Sequence, residues 1–386
     1  MMTATKPTHA ELRRWVREVC ERYPPEYWRK KDSSGEYPSE FVDEMISLGY
    51  LSALIPEEYG GFGLGVSEAA VIAGEMNHSG GAAGPCHGQM YMSTLLRHAS
   101  EEQRQYYLPK IASGEFRLQT FGVTEPNSGT DTTRLQTTAV RNGDYYIVNG
   151  QKIFISRANN SDLLLLLART TPLDQVERRT HGLSLFLIEQ QTLDPEAFEI
   201  QPIDVMINND TNQLFFDNME VPASCLIGEE GMGFRYLLDG LNTERILIAA
   251  ECVGDGRWFV EKASEYARTR VVFQRPIGQN QGIQFPLARA YANVEAASLM
   301  VERAAELFDA GEPCGPEANM AKLLAADASW EAANVALQTF GGYGFAREYD
   351  VERKFRETRL YQVAPISTNL ILSYLAEHVL GLPRSF

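Results

Sequence analysis

Two stretches of the chain combine glycine with polar residues in a way that could bind a charged or planar ligand. Residues 121–131, FGVTEPNSGTD, place three hydroxyls beside glycines, and residues 338–359, QTFGGYGFAREYDVERKFRETR, place three glycines ahead of a run of charge. Main-chain N–H groups and hydroxyls of the first stretch could surround a polar planar ring or a phosphate. The glycines of the second would let a backbone approach a ligand closely, with a charged helix following.

Each stretch also has a simpler explanation when it is taken alone. The first could be an ordinary turn, and the second could be a helix C-cap, a turn and a solvated helix. Glu244 raises a similar question, because it lies three and four residues from Leu241 and Ile248, on the apolar stripe of a helix. A Glu-Arg pair on a helix is usually solvated, so the pattern leaves both alternatives open.

Two other patterns do not predict a site. GFGLG at 61–65 lacks the third glycine of a dinucleotide-binding loop, since Val66 occupies that position, and it does not follow a strand. The histidines are His9, His78, His87, His98, His181 and His378. They show no metal-ligand spacing, so no metal site is predicted.

Composition limits the partners of the protein. The chain has 386 residues, 44% of them hydrophobic, and a net charge of −16, which argues against nucleic acid or an anionic membrane as a partner. Five scattered cysteines without a C-x-x-C pair suit free thiols in a reducing compartment. The N-terminus lacks the apolar core of a signal peptide, and the longest apolar run, 163–168, is far below the roughly 20 residues of a membrane helix. We expect a cytoplasmic protein without membrane insertion.

Three zones of the chain must position these residues. Residues 1–115 carry apolar residues at helical spacing, residues 116–230 change to strand patterns, and the helical period returns over residues 231–386. These boundaries predict an α+β fold with an N-terminal α-helical domain, a middle antiparallel β domain and a C-terminal helical bundle.

Two local patterns within the zones make specific predictions. Asn142-Gly143 and Asn149-Gly150 are each flanked by strand-forming residues, so each predicts a tight hairpin turn. Residues 234–270 have the pattern of one long helix, which Gly240, Gly254 and Gly256 would weaken.

The two glycine-bearing stretches together resemble signatures of the acyl-CoA dehydrogenase flavoprotein family. The first signature, Gly-Val-Thr-Glu-x-x-Ser-Gly-Thr-Asp, runs from Gly122 to Asp131 and departs only at Arg134, where a small residue is usual. The second matches at Gln338, Gly341, Gly342, Gly344, Phe345, Glu348, Arg353 and Glu357. Residues 215–234 resemble the family's passage from β domain to C-terminal four-helix bundle. The resemblance covers nearly the whole chain and implies the family's fold and FAD.

The resemblance also implies which residues bind FAD. Phe121 to Thr130 would line the flavin ring, with Val123 and Thr124 presenting main-chain and hydroxyl donors. On the other flavin face Phe154 would stack and Ser156 would donate a hydrogen bond. The diphosphate and adenine positions correspond to Arg270, Phe273, Gln281, Gln338, Gly341 and Gly342. Some of these act from a neighbouring subunit in the family, which implies a homo-oligomer, usually a tetramer.

The family reaction removes the α-proton of an acyl-CoA thioester while the β-hydrogen leaves as hydride to the flavin. The usual glutamate base is absent, because Gln362 stands at its position. Isovaleryl- and long-chain acyl-CoA dehydrogenases carry the base at the helical position that Glu244 matches, so the resemblance implies Glu244 as the base. The implied substrate contacts are Thr130, Asn242 and Arg245 and the main-chain N–H of Gln362. Ala364 and Pro365 lack the hydroxyl and the N–H that the family directs to FAD.

The leading hypothesis is an FAD-dependent acyl-CoA dehydrogenase that forms 2-enoyl-CoA and passes electrons to electron-transfer flavoprotein. Two alternatives are a relative that eliminates a β-substituent without net oxidation and a flavin-binding scaffold without turnover. Residues 84–92 correspond to the region that bounds the acyl pocket. There His87 and Gln89 suggest a polar or bulky acyl end, although surface positions would explain them equally well.

Overall fold

A computed structural model describes residues 6–385 of the chain. These residues form two compact units that interleave along the sequence. The helical unit contains the chain up to Ser34, Leu64–Ala83 and the chain from Asn242 onward, and the sheet unit contains Gly35–Gly63 and Gly84–Leu241. Because the units interleave, the three predicted domain boundaries stay predictions.

The described residues form α-helices in the first and third predicted zones. In chain order they are α1 His9–Cys20, α2 Pro25–Ser34, α3 Ser39–Ser47, α4 Val66–His78, α5 Met92–His98, α6 Glu101–Ser113, α7 Gly233–Thr269, α8 Gln281–Asp309, α9 Gly315–Phe340, α10 Val351–Arg359 and α11 Thr368–Tyr374. Local sequence explains several ends: Ser100 and Gln103 form a capping box at the start of α6, and Gly114 ends it in a left-handed conformation. Between residues 6 and 385, no helix is both long and apolar enough to cross a membrane.

The long helix α7 is continuous over 37 residues despite its glycines. A Cβ atom on Gly254 would lie 2.1 Å from the Gly74 carbonyl oxygen of α4, and one on Gly256 would lie 2.6 Å from a methyl carbon of Val294 on α8. The glycines therefore let neighbouring helices approach α7 closely, and this packing outweighs their low helix propensity.

The charged helix α10 is anchored in the helical unit and is not the solvated helix that its composition would allow. Lys354 is fully buried, donates to the Gly81 carbonyl at 2.9 Å and pairs with Asp255 at 2.5 Å. Arg353 is also buried and donates to the Gly80 carbonyl and to Glu357, each at 2.8 Å. The charges at Arg353 and Glu357, two positions of the second signature, thus serve the packing of the fold.

The middle of the chain forms a mainly antiparallel sheet with a buried apolar face. Its strands are β1 Leu118–Gly122, β2 Thr138–Asn142, β3 Tyr145–Ser156, β4 Leu163–Arg169, β5 Leu183–Glu189, β6 Phe198–Pro202, β7 Thr211–Pro222 and β8 Leu226–Ile227, and a separate hairpin pairs β9 Val271–Val272 with β10 Arg275–Pro276. The order is β6-β7-β3-β2-β4-β5-β8, and the pairings of β4 with β1 and with β2 are parallel. The predicted α+β fold is confirmed.

Only one of the two Asn-Gly pairs forms a hairpin. Asn142 pairs with Tyr145, which leaves Gly143, with φ of +61°, and Asp144 as the loop between β2 and β3. The prediction at 149–150 is wrong, because this dipeptide lies inside β3, where the register against β7 shifts between Val148 and Gly150. The dipeptide supplies the positive φ of a bulge there and not of a turn.

Replacement of Gly254 by alanine tests the close approach of α7 and α4. The added methyl group would meet a main-chain carbonyl oxygen at 2.1 Å, and a helix backbone cannot move aside easily. We expect Gly254→Ala to lower the free energy of unfolding by about 1–3 kcal/mol in a denaturant titration.

Gly282 of α8 is the matched control, because a methyl group added there would meet nothing within 4 Å. Gly282→Ala should leave stability unchanged or raise it by up to about 1 kcal/mol. Equal losses in the two variants would contradict the packing explanation.

Candidate active site

A buried ion pair fixes the first signature loop, residues 121–131, in the sheet unit. Lys152 of β3 is fully buried and donates to Glu125 at 2.8 Å and to the Val123 carbonyl at 3.1 Å. The Glu125 carboxylate also accepts the main-chain N–H of Thr137 at 2.9 Å. The main-chain N–H of Ile153 binds the Thr124 carbonyl at 2.9 Å. These contacts fix the carbonyl sides of Val123 and Thr124, whose side chains stay half-buried.

The ion pair has the electrostatics of a structural anchor. Burial raises the pKa of Glu125, but the Lys152 ammonium and the main-chain donors outweigh burial and hold that pKa below its usual value. Burial lowers the pKa of Lys152 to about 8, although the Glu125 charge acts in the opposite direction. This glutamate of the first signature therefore positions the loop.

Phe154 stands out in the sheet unit because its conformation is unusual for an aromatic residue. Its φ is +57° and its side chain is 62% exposed, next to a shift in the β3–β7 register between Lys152 and Ile155. Few residues other than glycine adopt this region without a reason in the surrounding structure. The strand thus presents an aromatic ring outward at the position expected to stack on a flavin.

Ser156, at the end of β3, belongs to a polar network that sequence reasoning missed. Its Oγ accepts a hydrogen bond from the Asn209 side-chain amide at 2.8 Å, so the hydroxyl hydrogen is available to donate to a ligand. Arg157 donates to the Asn209 oxygen and to Nδ1 of His87, the latter at 3.3 Å. The guanidinium has no acceptor, so His87 must present a lone pair at Nδ1.

Arg157 is only 3% exposed, and no carboxylate within residues 6–385 pairs with it. Its position directly after residues 153–156, IFIS, was the one sequence signal that could have identified it.

Gln89, like His87, lies inside the sheet unit: its amide donates to the Tyr50 carbonyl at 2.7 Å, and its own oxygen is buried without a partner. A surface position is thereby excluded for Gln89. The remaining predicted flavin positions are Phe121, whose ring lies 4.9 Å from that of Tyr91, and Thr130, which is exposed.

The helical unit contains a cavity of about 680 Å³ at the end of α9. Arg270, Gly341 and Gly342 line it, as the resemblance requires of a diphosphate site. The Arg270 guanidinium lies 5.4 Å from the centre of the Tyr343 ring, and a Cβ atom at either glycine would meet nothing within 4 Å. A cation beside unobstructed main chain fits an anionic diphosphate.

Three other predicted FAD residues do not line this cavity. Phe273 lies in the β9–β10 turn with φ of +49° and is 95% exposed. Gln281 is the exposed first residue of α8, and Gln338 is exposed in the last turn of α9. The structure of one chain therefore brings Arg270 together with the two glycines but leaves these three apart.

Glu244 lies on the buried face of α7, so the solvated alternative is wrong. Its side chain is 8% exposed, and no residue in the described range donates a hydrogen bond to its carboxylate. Burial raises its pKa to about 7, against the opposing charges of Arg245 and Lys322. A carboxylate in this state can exchange a proton near neutral pH.

Asn242 and Arg245 lie one helical turn apart on α7. Arg245 donates through Nη1 to the Asn242 side-chain oxygen at 3.1 Å, whereas its Nε is buried without a partner. Burial lowers the pKa of Arg245, which the Glu244 charge partly offsets. An unsatisfied buried donor of this kind is a ready contact for a ligand oxygen.

The loop around Gln362 is held on both sides. The Gln362 side-chain amide donates to Asp327 at 3.1 Å, so a carboxylate already occupies the space next to position 362. The Tyr361 hydroxyl donates to Glu251 at 3.0 Å, and Lys322 donates to the Tyr361 carbonyl at 2.6 Å. None of the three anchors is visible as a motif in the sequence.

Comparison with known families identifies this arrangement. Models of the N-terminal, middle and C-terminal domains of acyl-CoA dehydrogenases match residues 6–115, 120–219 and 231–380. The chain belongs to the acyl-CoA dehydrogenase family. It is 37% identical over 385 residues to the acyl-CoA dehydrogenase fadE12 of Mycobacterium bovis. The aligned region covers 97% of this chain and 96% of that protein.

Solved structures agree with this assignment. Butyryl-CoA dehydrogenase from Megasphaera elsdenii superposes with a TM-score of 0.90 at 30% identity, over 98% of this chain and 100% of that one. A chain from the structure of the electron transferring flavoprotein of Acidaminococcus fermentans reaches 0.91 at 31% identity, over 98% and 100%. This acyl-CoA dehydrogenase family member is a flavin-dependent oxidoreductase.

The raised pKa of Glu244 predicts a stability that depends on pH. The folded value is about 7 and the ordinary value is 4.5, so the unfolded chain releases this proton at lower pH. The cost of burying the ionised carboxylate is absent below pH 4.5, grows as pH rises toward 7 and then reaches about 3 kcal/mol. Glu244→Gln should therefore raise the melting temperature at about pH 8 but not near pH 4.

Glu265, exposed on the same helix, provides the control. Glu265→Gln should leave the melting temperature nearly unchanged at both pH values when the two variants are scanned together. A Glu244→Gln protein with no gain at the higher pH would show that the carboxylate is solvated in solution.

Proposed function

We propose that this protein is an FAD-dependent acyl-CoA dehydrogenase that converts an acyl-CoA thioester to its 2-enoyl-CoA, with Glu244 as the base. The observation that carries the proposal is the buried carboxylate of Glu244, with its pKa raised to about 7, in a family member that has Gln362 at the usual base position. A base is most effective when its pKa lies near the working pH.

In this proposal each residue near the substrate has one role. Glu244 takes the α-proton, and bound FAD supplies the acceptor for the β-hydride. The main-chain N–H of Gln362 donates to the thioester oxygen, where negative charge develops as the proton leaves. Asn242 and Arg245 contact the pantetheine part of CoA, for which the unsatisfied Nε of Arg245 provides a donor. Thr130 is a further substrate contact.

The Asp327 contact supports a base on α7 over a base at position 362. A glutamate at 362 would lose the hydrogen bond that the Gln362 amide donates and would face the Asp327 carboxylate. The amide of Gln362 instead donates to Asp327, and its main-chain N–H is unaffected by the choice of side chain.

FAD would be held by two sets of residues. In the sheet unit the flavin ring would contact Phe121, Val123, Thr124, Thr130, Phe154 and Ser156. In the helical unit the diphosphate and adenine would contact Arg270, Phe273, Gln281, Gln338, Gly341 and Gly342. Phe273 lies outside the cavity and is almost fully exposed, which supports the proposal that part of the second set serves the FAD of another subunit.

The remaining parts of the proposal concern assembly and partners. We propose three domains, 1–115, 116–230 and 231–386, a homo-oligomer, usually a tetramer in this family, and a cytoplasmic location. Electron-transfer flavoprotein would reoxidise the flavin. The similarity to a chain solved with such a protein from Acidaminococcus fermentans supports this acceptor.

Arg270→Ala tests the cofactor site. The variant loses a cation from the cavity, so we expect FAD affinity to fall by at least about tenfold, read from the flavin absorbance retained after gel filtration. Arg268→Ala, an exposed neighbour in the last turn of α7, is the matched control and should retain FAD. Equal retention in both variants would contradict the assignment of Arg270.

The base is tested by rapid-mixing flavin reduction with one reactive acyl-CoA. Glu244→Gln should keep FAD and bind substrate but lose flavin reduction by about two to four orders of magnitude. Gln362→Ala should be milder, because its main-chain N–H survives. Adding Gln362→Glu to Glu244→Gln should restore little activity, since the new carboxylate faces Asp327.

Flavin reduction in Glu244→Gln at the parent rate would place the base elsewhere. A product equal in mass to the substrate minus a β-substituent, with no acceptor consumed, would favour elimination over dehydrogenation. Absence of any flavin bleaching across a panel of acyl-CoAs would favour a flavin-binding scaffold.

A further inference from the structure

Lys322 of α9 is a buried cation with no assigned role. Its side chain is fully buried, and Nζ donates to the main-chain carbonyls of Tyr361 at 2.6 Å and Ile366 at 2.7 Å. These two carbonyls flank Gln362 and the three residues that follow it. One ammonium group therefore ties together both ends of the loop that carries the Gln362 main chain.

Comparison with the other fully buried lysines shows what is unusual. Lys152 pairs with Glu125 at 2.8 Å, and Lys354 pairs with Asp255 at 2.5 Å. No carboxylate in the described range lies within ion-pair distance of Lys322, which has only neutral carbonyls as hydrogen-bond partners. Burial lowers its pKa, as expected for an ammonium without a close counter-ion. An unpaired buried charge is costly and needs a compensating role.

The surroundings of Lys322 connect it to Glu244. The charged and titratable groups that act on Lys322 are Cys252, Asp327, Arg245 and Glu244. Those that act on Glu244 are Arg245 on the same helix and Lys322 on α9. Within residues 6–385, Lys322 is therefore the charge from another helix that favours the ionised form of this carboxylate.

We propose that Lys322 is a positioning residue for α-proton abstraction, which fixes the Tyr361–Ile366 loop and supplies a positive charge that acts on Glu244. This inference rests on the proposed function. Its two parts are separate: the hydrogen bonds to Tyr361 and Ile366 set where the Gln362 N–H points, and the charge sets the pH at which Glu244 becomes a base. A purely structural lysine would fulfil only the first.

Three substitutions separate the two parts. Lys322→Gln removes the charge but keeps an amide with two N–H donors, on a side chain one bond shorter. Lys322→Arg keeps the charge but changes the geometry of the donors, and Lys322→Met removes both. Each holoenzyme is mixed rapidly with one reactive acyl-CoA over a range of pH, and the rate of flavin reduction is plotted against pH. The rate falls at low pH, where the base is protonated (the acid limb), and is constant at higher pH (the plateau).

We expect the acid limb of Lys322→Gln to move to higher pH by about one unit, with a plateau within a few-fold of the parent. Lys322→Arg should keep the parent's acid limb at a lower plateau, and Lys322→Met should show both effects. If Lys322→Met does not retain FAD, the Gln and Arg variants still decide between the two parts. An acid limb unchanged in Lys322→Gln would overturn the role of the charge, and a parent plateau in Lys322→Arg would overturn the role in positioning.

Two further variants show which of the two proposals a negative result contradicts. Lys354→Gln removes the charge of another buried lysine that donates to a main-chain carbonyl, so it should lower stability and leave the acid limb in place. Glu244→Gln, measured in parallel, tests the proposed function itself. If it reduces its flavin at the parent rate, the proposed function fails. If it is inactive while Lys322→Gln has the parent acid limb and Lys322→Arg has the parent plateau, only the inference about Lys322 fails.

Discussion

Burial of the Glu244 carboxylate without a hydrogen-bond donor from the described residues is the constraint around which the helical unit is organised. Such a group destabilises the fold when it ionises, so the surrounding packing must exclude water and still tolerate a charge. The 8% exposure of Glu244 meets the first requirement, on a helix that Gly254 and Gly256 bring against α4 and α8 further along its length. Arg245 and Lys322 meet the second requirement, because their charges favour the ionised carboxylate without forming a direct hydrogen bond to it.

The charged residues of the two family signatures are mostly anchors. Glu125 and Lys152 fix one ligand loop, and Arg353 ties α10 to the turn after α4. Among the groups proposed to touch the substrate, Thr130 lies within the first signature, whereas Glu244, Asn242, Arg245 and the Gln362 N–H lie outside both. The signatures therefore identify the family through the residues that shape its loops, while the proposed base position varies independently of them.

Sequence reasoning succeeded where a period or a long motif was present. The continuous α7 and the β2–β3 hairpin follow from spacing that packing reinforces. The spacing around Glu244 left its burial open, and the structure shows the side chain to be buried. It failed at Asn149-Gly150, because a bulge and a turn need the same backbone angles and only the partner strand decides between them. It also missed Arg157, Asn209 and Lys322. These polar residues occur in an irregular loop and on an alanine-rich helix, and nothing local distinguishes a buried lysine from a solvated one.

The contact between Gln362 and Asp327 has a consequence for how this branch of the family could change. In the proposed scheme, moving the base back to position 362 by one substitution would replace an amide–carboxylate hydrogen bond by two carboxylates that face each other. Return would therefore call for a matching replacement of Asp327 on α9 as well as the loss of Glu244 from α7. The contact ties the history of position 362 to that of a residue on another helix.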